Sequence, residues 1–319
     1  MFKKSLFLAL ASLVGVISMQ AKEVTSEEMA DIFYKLNYNA KTPHMKVNHT
    51  KGFCVAGKFD SNKEMLQEFD LPFLKENDIQ AKVRFSLGGA EMDDRNKGRG
   101  MAVKLEEPNG NTWTMVMLNS EINFAKTPEE FMQFFKMRLP VNGKVNQEKI
   151  KKELHEVASY RNFLAYMDKV GVSRSFANTP FYSVHTFWFK TKDGHLIPAR
   201  WKFIPTDGIK YLSKNELKTL GQNFLEDRLS KELHTNMVGF KMYLVLANKT
   251  DKTDDTTALW KGKHKEIFVG TLKLEKYTGS DCNSDVFFPN DIPSGIEAPK
   301  DPIFQFRNET YGVTFGRRQ

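Results

Sequence analysis

Cysteine, long apolar runs and blocks of like charge are all scarce in this sequence, and each scarcity excludes a class of protein. Only Cys54 and Cys282 occur among 319 residues, too few for a fold held by several disulfides, and the sequence leaves open whether they pair. After Ile17 no segment reaches the roughly 18 consecutive apolar residues of a membrane-spanning helix. The net charge of +8 is spread along the chain, which argues against nucleic-acid binding.

The N-terminus has the organisation of a secretory signal peptide. Lys3 and Lys4 precede an apolar run from Leu6 to Ile17, and Ala21 is a small residue at the expected cleavage point. Removal of residues 1–21 leaves 22–319, which we expect to form a single domain with 45 basic and 39 acidic side chains. We therefore predict export to a periplasmic or secreted location, without stable membrane insertion once the signal is removed.

Alternating and capped patterns predict an α+β protein built on a closed antiparallel barrel with inserted helices. Strands are predicted at Gly52–Phe59, Ala81–Leu87, Met101–Glu106, Thr112–Leu118, His185–Thr191, Ile197–Ile204, Lys241–Ala247 and Lys265–Lys273. Helices are predicted over Thr25–Leu36, from Thr127 to about Arg138, and as one long helix from Ser213 to about His234. A polar loop over residues 281–299 leads into a terminal helix.

Residues 301–319 form the most informative segment of the chain. Asp301 and the proline after it supply an N-cap and a first-turn proline. On a helix, Arg307, Tyr311 and Arg318 then fall within about 60° of one another. Such a face can hold a phenolate against a cationic centre, although an ordinary amphipathic terminal helix has the same spacing.

Four segments in order resemble the haem catalases, from about residue 30 to the last residue. They are KVNHTKG at 46–52; VRFS at 83–86 with RGMAVK at 99–104; HTF at 185–187 with KF at 202–203 and DGIK at 207–210; and GIE at 295–297 with the terminal helix. The resemblance implies the catalase fold, in which a barrel and helices enclose a haem. The absence of Cys-x-x-Cys-His argues against covalent c-type attachment, so haem b is expected.

The terminal helix matches the family's proximal helix, in which Arg-x-x-x-Tyr presents a tyrosinate to the haem iron. The implied role of Tyr311 is that of axial ligand to ferric iron. Its phenolate would be stabilised by the iron and by the guanidinium of Arg307. The family supports this arginine with a histidine and an aspartate, and the matching positions are His185 and Asp301.

The segment at 46–52 matches the family's distal side. His49 falls on the histidine that moves a proton between the two oxygens of peroxide, a role that suits an imidazole. Ser86 matches the serine that orients this ring. Gly52 and Gly57 are expected to allow close backbone approach near the cofactor edge.

Other positions match groups that hold the cofactor. Lys46, Arg84 and Arg318 stand where the family binds the haem propionates. Phe131 matches an aromatic residue that packs over the haem, and an ordinary core residue of its helix is an equal alternative.

Three departures from the family pattern bear on activity. Lys46 replaces an arginine and gives a point charge in place of a planar fork. Asn48 stands where a valine is usual, so its amide is expected to bond the imidazole or to open the channel. The ungapped register puts Leu118 on the family's functional asparagine, and Asn119 can serve that catalytic role only with a shift of one residue, which reverses its face on a strand.

The resemblance therefore predicts a short, catalase-related peroxidase. The family's large enzymes continue past the tyrosine helix into a wrapping segment and a helical domain, and we expect neither here. The implied substrates are hydrogen peroxide or an organic hydroperoxide and a small organic reductant, with weak or no catalase activity. A monomer or dimer is expected.

Alternative functions remain open at this stage. A catalase-like enzyme that converts fatty-acid hydroperoxides is kept open by the polar residue beside His49. A haem-binding or storage protein without turnover is disfavoured by His49, Ser86 and Arg84, since a carrier needs no acid–base pair. A lipid-binding barrel without haem is disfavoured by Arg307 and Tyr311.

Overall fold

The computed structural model describes residues 23–235 and 237–319, and the predicted signal peptide therefore lies outside the described residues. The strands in this part of the chain are β1 (Gly52–Ser61), β2 (Ile79–Leu87), β3 (Arg99–Glu106), β4 (Thr112–Leu118), β5 (Phe181–Tyr182), β6 (Phe187–Lys190), β7 (Leu196–Pro205), β8 (Val238–Leu246), β9 (Glu266–Gly279) and β10 (Ile296–Glu297). The α-helices are α1 (Ser26–Asn37), α2 (Pro128–Lys136), α3 (Gln147–Glu156), α4 (Ala158–Lys169), α5 (Lys214–Thr219), α6 (Leu225–Thr235) and α7 (Pro302–Gly316). Within the described ranges, no helix combines the length and the apolar character that a membrane crossing requires.

Eight of the described strands close into an antiparallel barrel. Their order is β7-β5-β4-β3-β2-β1-β9-β8, and the pairing of β8 with β7 completes the circle. β6 continues the sheet from one end of β7, and β10 pairs with β6. The predicted α+β fold, a closed barrel with inserted and C-terminal helices, is confirmed.

The prediction of one long helix over residues 213–234 is wrong, because this stretch forms α5 and α6 with a break between them. The Asp94 carboxylate accepts hydrogen bonds from the backbone N–H groups of Phe224 and Leu225, at 2.6 and 2.8 Å. These N–H groups lie at the start of α6, where helical donors have no intrahelical partner. A carboxylate 130 residues away in sequence therefore stabilises a second helix start.

The alternation of side chains along β2 decides which residues reach the site. Val83, Phe85 and Leu87 are buried in the main apolar core of the barrel. Because successive side chains of a strand point to opposite faces, Arg84 and Ser86 lie on the outer face. The site is thus built on the outside of the barrel wall.

The register across β1 to β4 aligns the outer-face residues in two neighbouring rows. One row joins Cys54, Arg84, Ala102 and Val116. The next row joins Gly52, Ser86, Gly100 and Leu118. Most of these side chains are small, so the outer face leaves room for other groups above it.

Helices α1, α2 and α7 pack together through a second apolar cluster beside this outer face. The cluster contains Met29, Ile32, Phe33, Val47, Ala125, Phe131, Met132, Ile303 and Phe306. The predicted caps of α7 are present: Asp301 is its N-cap, with Oδ1 accepting from the Phe304 N–H at 3.0 Å, and a proline follows. This cap fixes the start of the helix that carries Arg307 and Tyr311.

Candidate active site

A cavity of about 670 Å³ lies between the outer face of β2–β4 and helices α1, α2 and α7. Nine of the eleven residues predicted from the sequence line it: Lys46, His49, Arg84, Ser86, Asn119, Phe131, Arg307, Tyr311 and Arg318. The other two, His185 and Asp301, stand behind Arg307. Residues up to 272 positions apart in the sequence therefore meet around one space.

A hydrogen-bonded chain leads from Asp301 to Tyr311. Oδ2 of Asp301 lies 2.8 Å from Nδ1 of His185, and Nε2 of His185 lies 2.8 Å from Nη1 of Arg307. Nη2 of Arg307 donates to the hydroxyl oxygen of Tyr311 at 3.4 Å. The four residues are those that the sequence pattern predicted on the proximal side.

The charges along this chain follow from burial. Burial lowers the pKa of His185, opposed by the Asp301 carboxylate. Burial alone would raise the pKa of Asp301, but the His185 ring and the Phe304 N–H outweigh it and lower this pKa. The pair is therefore a neutral imidazole against an ionised carboxylate. A neutral imidazole leaves Nε2 free to accept from Arg307.

Three features fix the position of His49: a contact of its ring with Ser86, its backbone conformation and the close approach of Gly100. Nδ1 lies 3.0 Å from Oγ of Ser86, and this contact leaves Nε2 for a ligand in the cavity. Its φ of 53° is in the left-handed region, where strain is most often found at functional sites. A Cβ added to Gly100 would lie 2.8 Å from Ser86 Oγ and 3.0 Å from the His49 ring, so a larger residue there would push these side chains aside.

The surroundings of His49 keep its imidazole neutral. Burial and the nearby cations Arg84 and Arg307 lower its pKa to about 4, while a hydrogen bond to the Leu87 carbonyl opposes the decrease. At neutral pH the ring is therefore an unprotonated base. This is the protonation state that a proton acceptor needs.

The two asparagines near the site bond to backbone groups. Oδ1 of Asn48 accepts from the backbone N–H of His49 at 3.1 Å, so this amide bonds the histidine backbone and not its ring. Asn119 follows β4 at the cavity wall; its Oδ1 accepts from the N–H of Arg99 and its Nδ2 donates to the carbonyl of Lys97, both at 2.8 Å. Leu118 occupies the outer-face row beside Gly100. The catalytic role assigned to Asn119 stays a prediction.

Three cations, which we call the cation cluster, meet at one part of the cavity: Lys46, Arg84 and Arg318. Arg84 and Arg318 are buried, and within the described ranges the protein acceptors of all three are carbonyl or amide oxygens. Burial and the positive neighbours lower the pKa of Lys46 to about 7 and that of Arg84 to about 10, and burial lowers that of Arg318. Buried cations held by neutral acceptors favour an anionic ligand.

Sequence reasoning missed the segment that supplies these neutral acceptors. Asn283 and Asp285 lie in the polar loop before α7, and their oxygens accept from the cation cluster. The segment is attached to β1, because Cys282 forms a disulfide with Cys54. The presence of two cysteines was the one signal for this attachment, and the sequence left their pairing open.

Aromatic side chains form another wall of the cavity. Phe131, buried on α2, lies 5.0 Å from Phe124 and 6.0 Å from Phe306 between ring centroids. It is both a core residue of its helix and a lining residue of the cavity.

The expectation that Gly57 allows close backbone approach to the cofactor is wrong. A Cβ there would lie 2.1 Å from the carbonyl oxygen of Lys273, so this glycine permits close pairing of β1 with β9.

The lining residues fit a large flat cofactor that carries carboxylates. The cation cluster supplies partners for carboxylates, the aromatic wall suits an apolar ring system, and Tyr311 is a phenol backed by a guanidinium. Among the described residues no group of three or more His, Cys, Asp or Glu side chains is placed to hold a metal ion. The carboxylate-binding cations, the apolar wall and the phenol of Tyr311 together fit haem, in which the porphyrin supplies most of the ligands to iron.

Comparison with known proteins agrees with this arrangement. A family model described as Catalase matches residues 33–318. A catalase-related peroxidase of Synechococcus elongatus is 29% identical over 279 residues, covering 85% of this chain and 82% of the relative. A catalase-related peroxidase of Mycolicibacterium paratuberculosis is 27% identical over 282 residues, covering 85% of this chain and 88% of the relative.

Solved structures share the fold. Catalase A from Saccharomyces cerevisiae has a TM-score of 0.77 at 18% identity, covering 86% of this chain and 61% of that chain. A bacterial catalase has a TM-score of 0.77 at 17% identity, covering 95% and 62%. The chain thus spans about three fifths of the length of these catalases. With a matching barrel and a family match over most of its length, the chain belongs to the catalase family.

Proposed function

We propose that this protein is an exported haem peroxidase that reduces hydrogen peroxide or an organic hydroperoxide with electrons from a small organic donor. One observation carries the proposal: the Asp301–His185–Arg307–Tyr311 chain ends at the same cavity that His49 and the cation cluster line. The names of the two catalase-related peroxidases among its relatives support the peroxide chemistry.

Different residues would bind the iron, the propionates and the porphyrin of haem b. The phenolate oxygen of Tyr311 would bind the haem iron, and the guanidinium of Arg307 would stabilise its negative charge. The cation cluster would bind the propionates by charge-assisted hydrogen bonds. Phe131 would pack against the porphyrin face.

Bound haem iron supplies the redox chemistry that cleaves the peroxide bond. His49 would take the proton from one peroxide oxygen and deliver it to the other, which would leave as water from hydrogen peroxide or as an alcohol from an organic hydroperoxide. Its low pKa keeps the ring ready to accept, and Ser86 holds its orientation. Hydroperoxides of different size would meet the same base.

The polar groups around His49 favour peroxidase turnover over catalase turnover. Dismutation requires an ordered site for a second peroxide, and the amides of Asn48 and Asn119 are both engaged with backbone groups. We therefore expect an external donor, such as an aromatic reductant, to be oxidised faster than oxygen is released. Conversion of fatty-acid hydroperoxides and haem binding without turnover are the competing outcomes of the tests below.

The location and assembly belong to the same proposal. Residues 1–21 would direct export to the periplasm or beyond, and the Cys54–Cys282 disulfide supports an oxidising compartment. We propose a monomer or dimer.

The absorption spectrum of the purified protein tests the cofactor. We expect a high-spin ferric haem spectrum of the tyrosinate type in the wild-type protein and its loss in Tyr311→Phe. A colourless protein from haem-replete cells would sink the proposal.

Turnover is tested separately, by dye oxidation and oxygen release at low peroxide concentration. We expect dye oxidation to dominate and His49→Ala to abolish the reaction with peroxide while retaining haem. Unchanged kinetics in His49→Ala would favour a carrier. Rearranged products from lipid hydroperoxides without donor oxidation would favour the fatty-acid enzyme, and dominant oxygen release would identify a catalase.

A further inference from the structure

Most acceptors of the cation cluster come from one short stretch, residues 282–285, which we call the anchor segment; Arg84 also donates to the Thr50 carbonyl at 3.4 Å. Nε of Arg84 donates to Oδ1 of Asn283 at 2.8 Å, and Nη1 of Arg318 donates to the Asn283 carbonyl at 3.2 Å. Nη2 of Arg318 donates to the Asp285 carbonyl at 2.9 Å, and Nζ of Lys46 donates to the same carbonyl. Asn283 and Asp285 therefore orient all three cations.

The anchor segment belongs to the 280–295 loop between β9 and β10 and is attached to the barrel at its first residue. Cys282 is bonded to Cys54, and Cys54 lies directly across from Arg84 in the β1–β2 register. The attachment point is thus in the same outer-face row as one of the cations. Nδ2 of Asn283 also donates to the Gly52 carbonyl at 3.4 Å.

Attachment matters because the three cations repel one another. Besides burial, Arg318 and Arg84 lower the pKa of Lys46, opposed by the Asp285 carboxylate, and Arg318 lowers the pKa of Arg84. Neutral oxygens orient a cation without removing its charge, so the acceptors must be held in place if the cluster is to stay convergent before an anion binds. A binding site arranged in advance loses less free energy to ordering when its ligand arrives.

We propose that Asn283 is a positioning residue for carboxylate binding by the cation cluster, and that the Cys54–Cys282 disulfide is the clamp that keeps it in place. This inference rests on the proposed function, since the carboxylates are those of the bound haem. Retention of the cofactor would therefore depend on a disulfide whose two cysteines do not contact the cofactor.

Transfer of haem from the holoprotein to excess apomyoglobin tests the clamp without measuring turnover. In Cys54→Ser/Cys282→Ser we expect haem loss to be about tenfold faster, because the hydrogen bonds to charged groups lose their fixed acceptors. Asn283→Leu removes the side-chain acceptor of Arg84 and the long hydrogen bond to the Gly52 carbonyl, keeps the disulfide, and should also accelerate haem loss. This second variant keeps the test decisive if the double variant does not fold.

Two control variants separate positioning from general stability. Ser284→Ala changes the neighbouring residue and leaves every named acceptor in place, so haem loss should match the wild type. Val269→Ala removes buried volume on β9, away from the cavity lining, and gives a loss of thermal stability for comparison. If Val269→Ala accelerates haem loss as much as the cysteine variant at a similar melting temperature, the clamp is wrong.

A spectroscopic readout reports the contact itself. The resonance Raman bending bands of the haem propionates should shift in Asn283→Leu and in the cysteine variant, and stay in place in Val269→Ala. Equal haem loss and equal propionate bands in wild type and both test variants would overturn the inference while leaving the proposed function intact. A wild-type protein that takes up no haem would instead overturn the proposed function and this inference with it.

Discussion

Nη1 of Arg307 lies 2.8 Å from Nε2 of His185. A guanidinium has only donors, so Nε2 must accept, and the proton of the neutral ring must sit on Nδ1. Nδ1 then donates to the Asp301 carboxylate at 2.8 Å. The charge of Asp301 therefore influences Tyr311 through two intervening side chains.

Asp301→Asn should weaken this chain and spare the helix. An asparagine remains a good N-cap for the Phe304 N–H, so loss of the cap should contribute little to the change in the free energy of unfolding. Its NH₂ group would face the Nδ1–H of His185, so His185 would lose its acceptor. Loss of a hydrogen-bond partner that supports a metal ligand typically lowers activity about tenfold or more. Asp301→Ala should lose the same activity and about 1 kcal/mol of stability besides. Thermal melts measure the stability of the two variants, and peroxidase rates measure their activity. Equal melting temperatures would contradict the prediction that Asp301→Asn keeps the helix cap and Asp301→Ala loses it.

The reaction with peroxide should lose rate only in acid. Because the pKa of His49 is lowered to about 4, the ring stays neutral at higher pH, so the stopped-flow rate should be level above about pH 5 and fall as pH approaches 4. A free imidazole titrates near 6.5, so the unfolded chain binds more protons between about 4 and 6.5, and stability should also decrease as pH falls through that window. His49→Gln has no ring to titrate, so its stability should not show this decrease between about pH 6.5 and 4. A limb centred near pH 6.5 would contradict the predicted environment.

Gly100→Ala should displace His49. Its added Cβ would overlap Ser86 Oγ and the imidazole, and a misplacement of about 1 Å commonly costs about 100-fold in rate. Gly98→Ala is the matched control, since its Cβ would meet only atoms of Gly88 at 3.8 Å or more. Haem content and the initial rate with peroxide distinguish the two. Similar rates in both alanine variants would show that the histidine does not depend on this contact.

Haem affinity should fall as pH rises above neutrality. The pKa of Lys46 is lowered to about 7 from 10.5, chiefly by burial and then by the neighbouring arginines, and carboxylates would favour its charged form. Binding therefore takes up a proton at higher pH, and affinity should decrease by up to about tenfold per pH unit over that interval. Lys46→Arg stays charged and should flatten the profile. Haem titrations at several pH values measure this, and parallel profiles for the two proteins would exclude Lys46 as the cause.

Local patterns were sufficient where the determining contacts are close in sequence. The caps of α7 and the strand predicted at Ala81–Leu87 depend on neighbouring residues, and both were predicted correctly. The break between α5 and α6 was missed because the carboxylate that stabilises the second start comes from Asp94. No prediction was made for α3, in which no residue is buried, so little of its sequence marks an inward face.

The sequence by itself determined most of the strands and the terminal helix, because strand alternation and helical spacing are short-range properties, and its resemblance to the catalases implied which residues surround the cavity. Only the tertiary structure decided how these residues are held. Asn283 meets Arg84, and Cys282 meets Cys54 across 228 positions, through contacts that no local periodicity encodes. The hydrogen bonds of Asn119 to the backbone of Lys97 and Arg99 also depend on the tertiary structure, because the pairing of β3 with β4 brings these groups together.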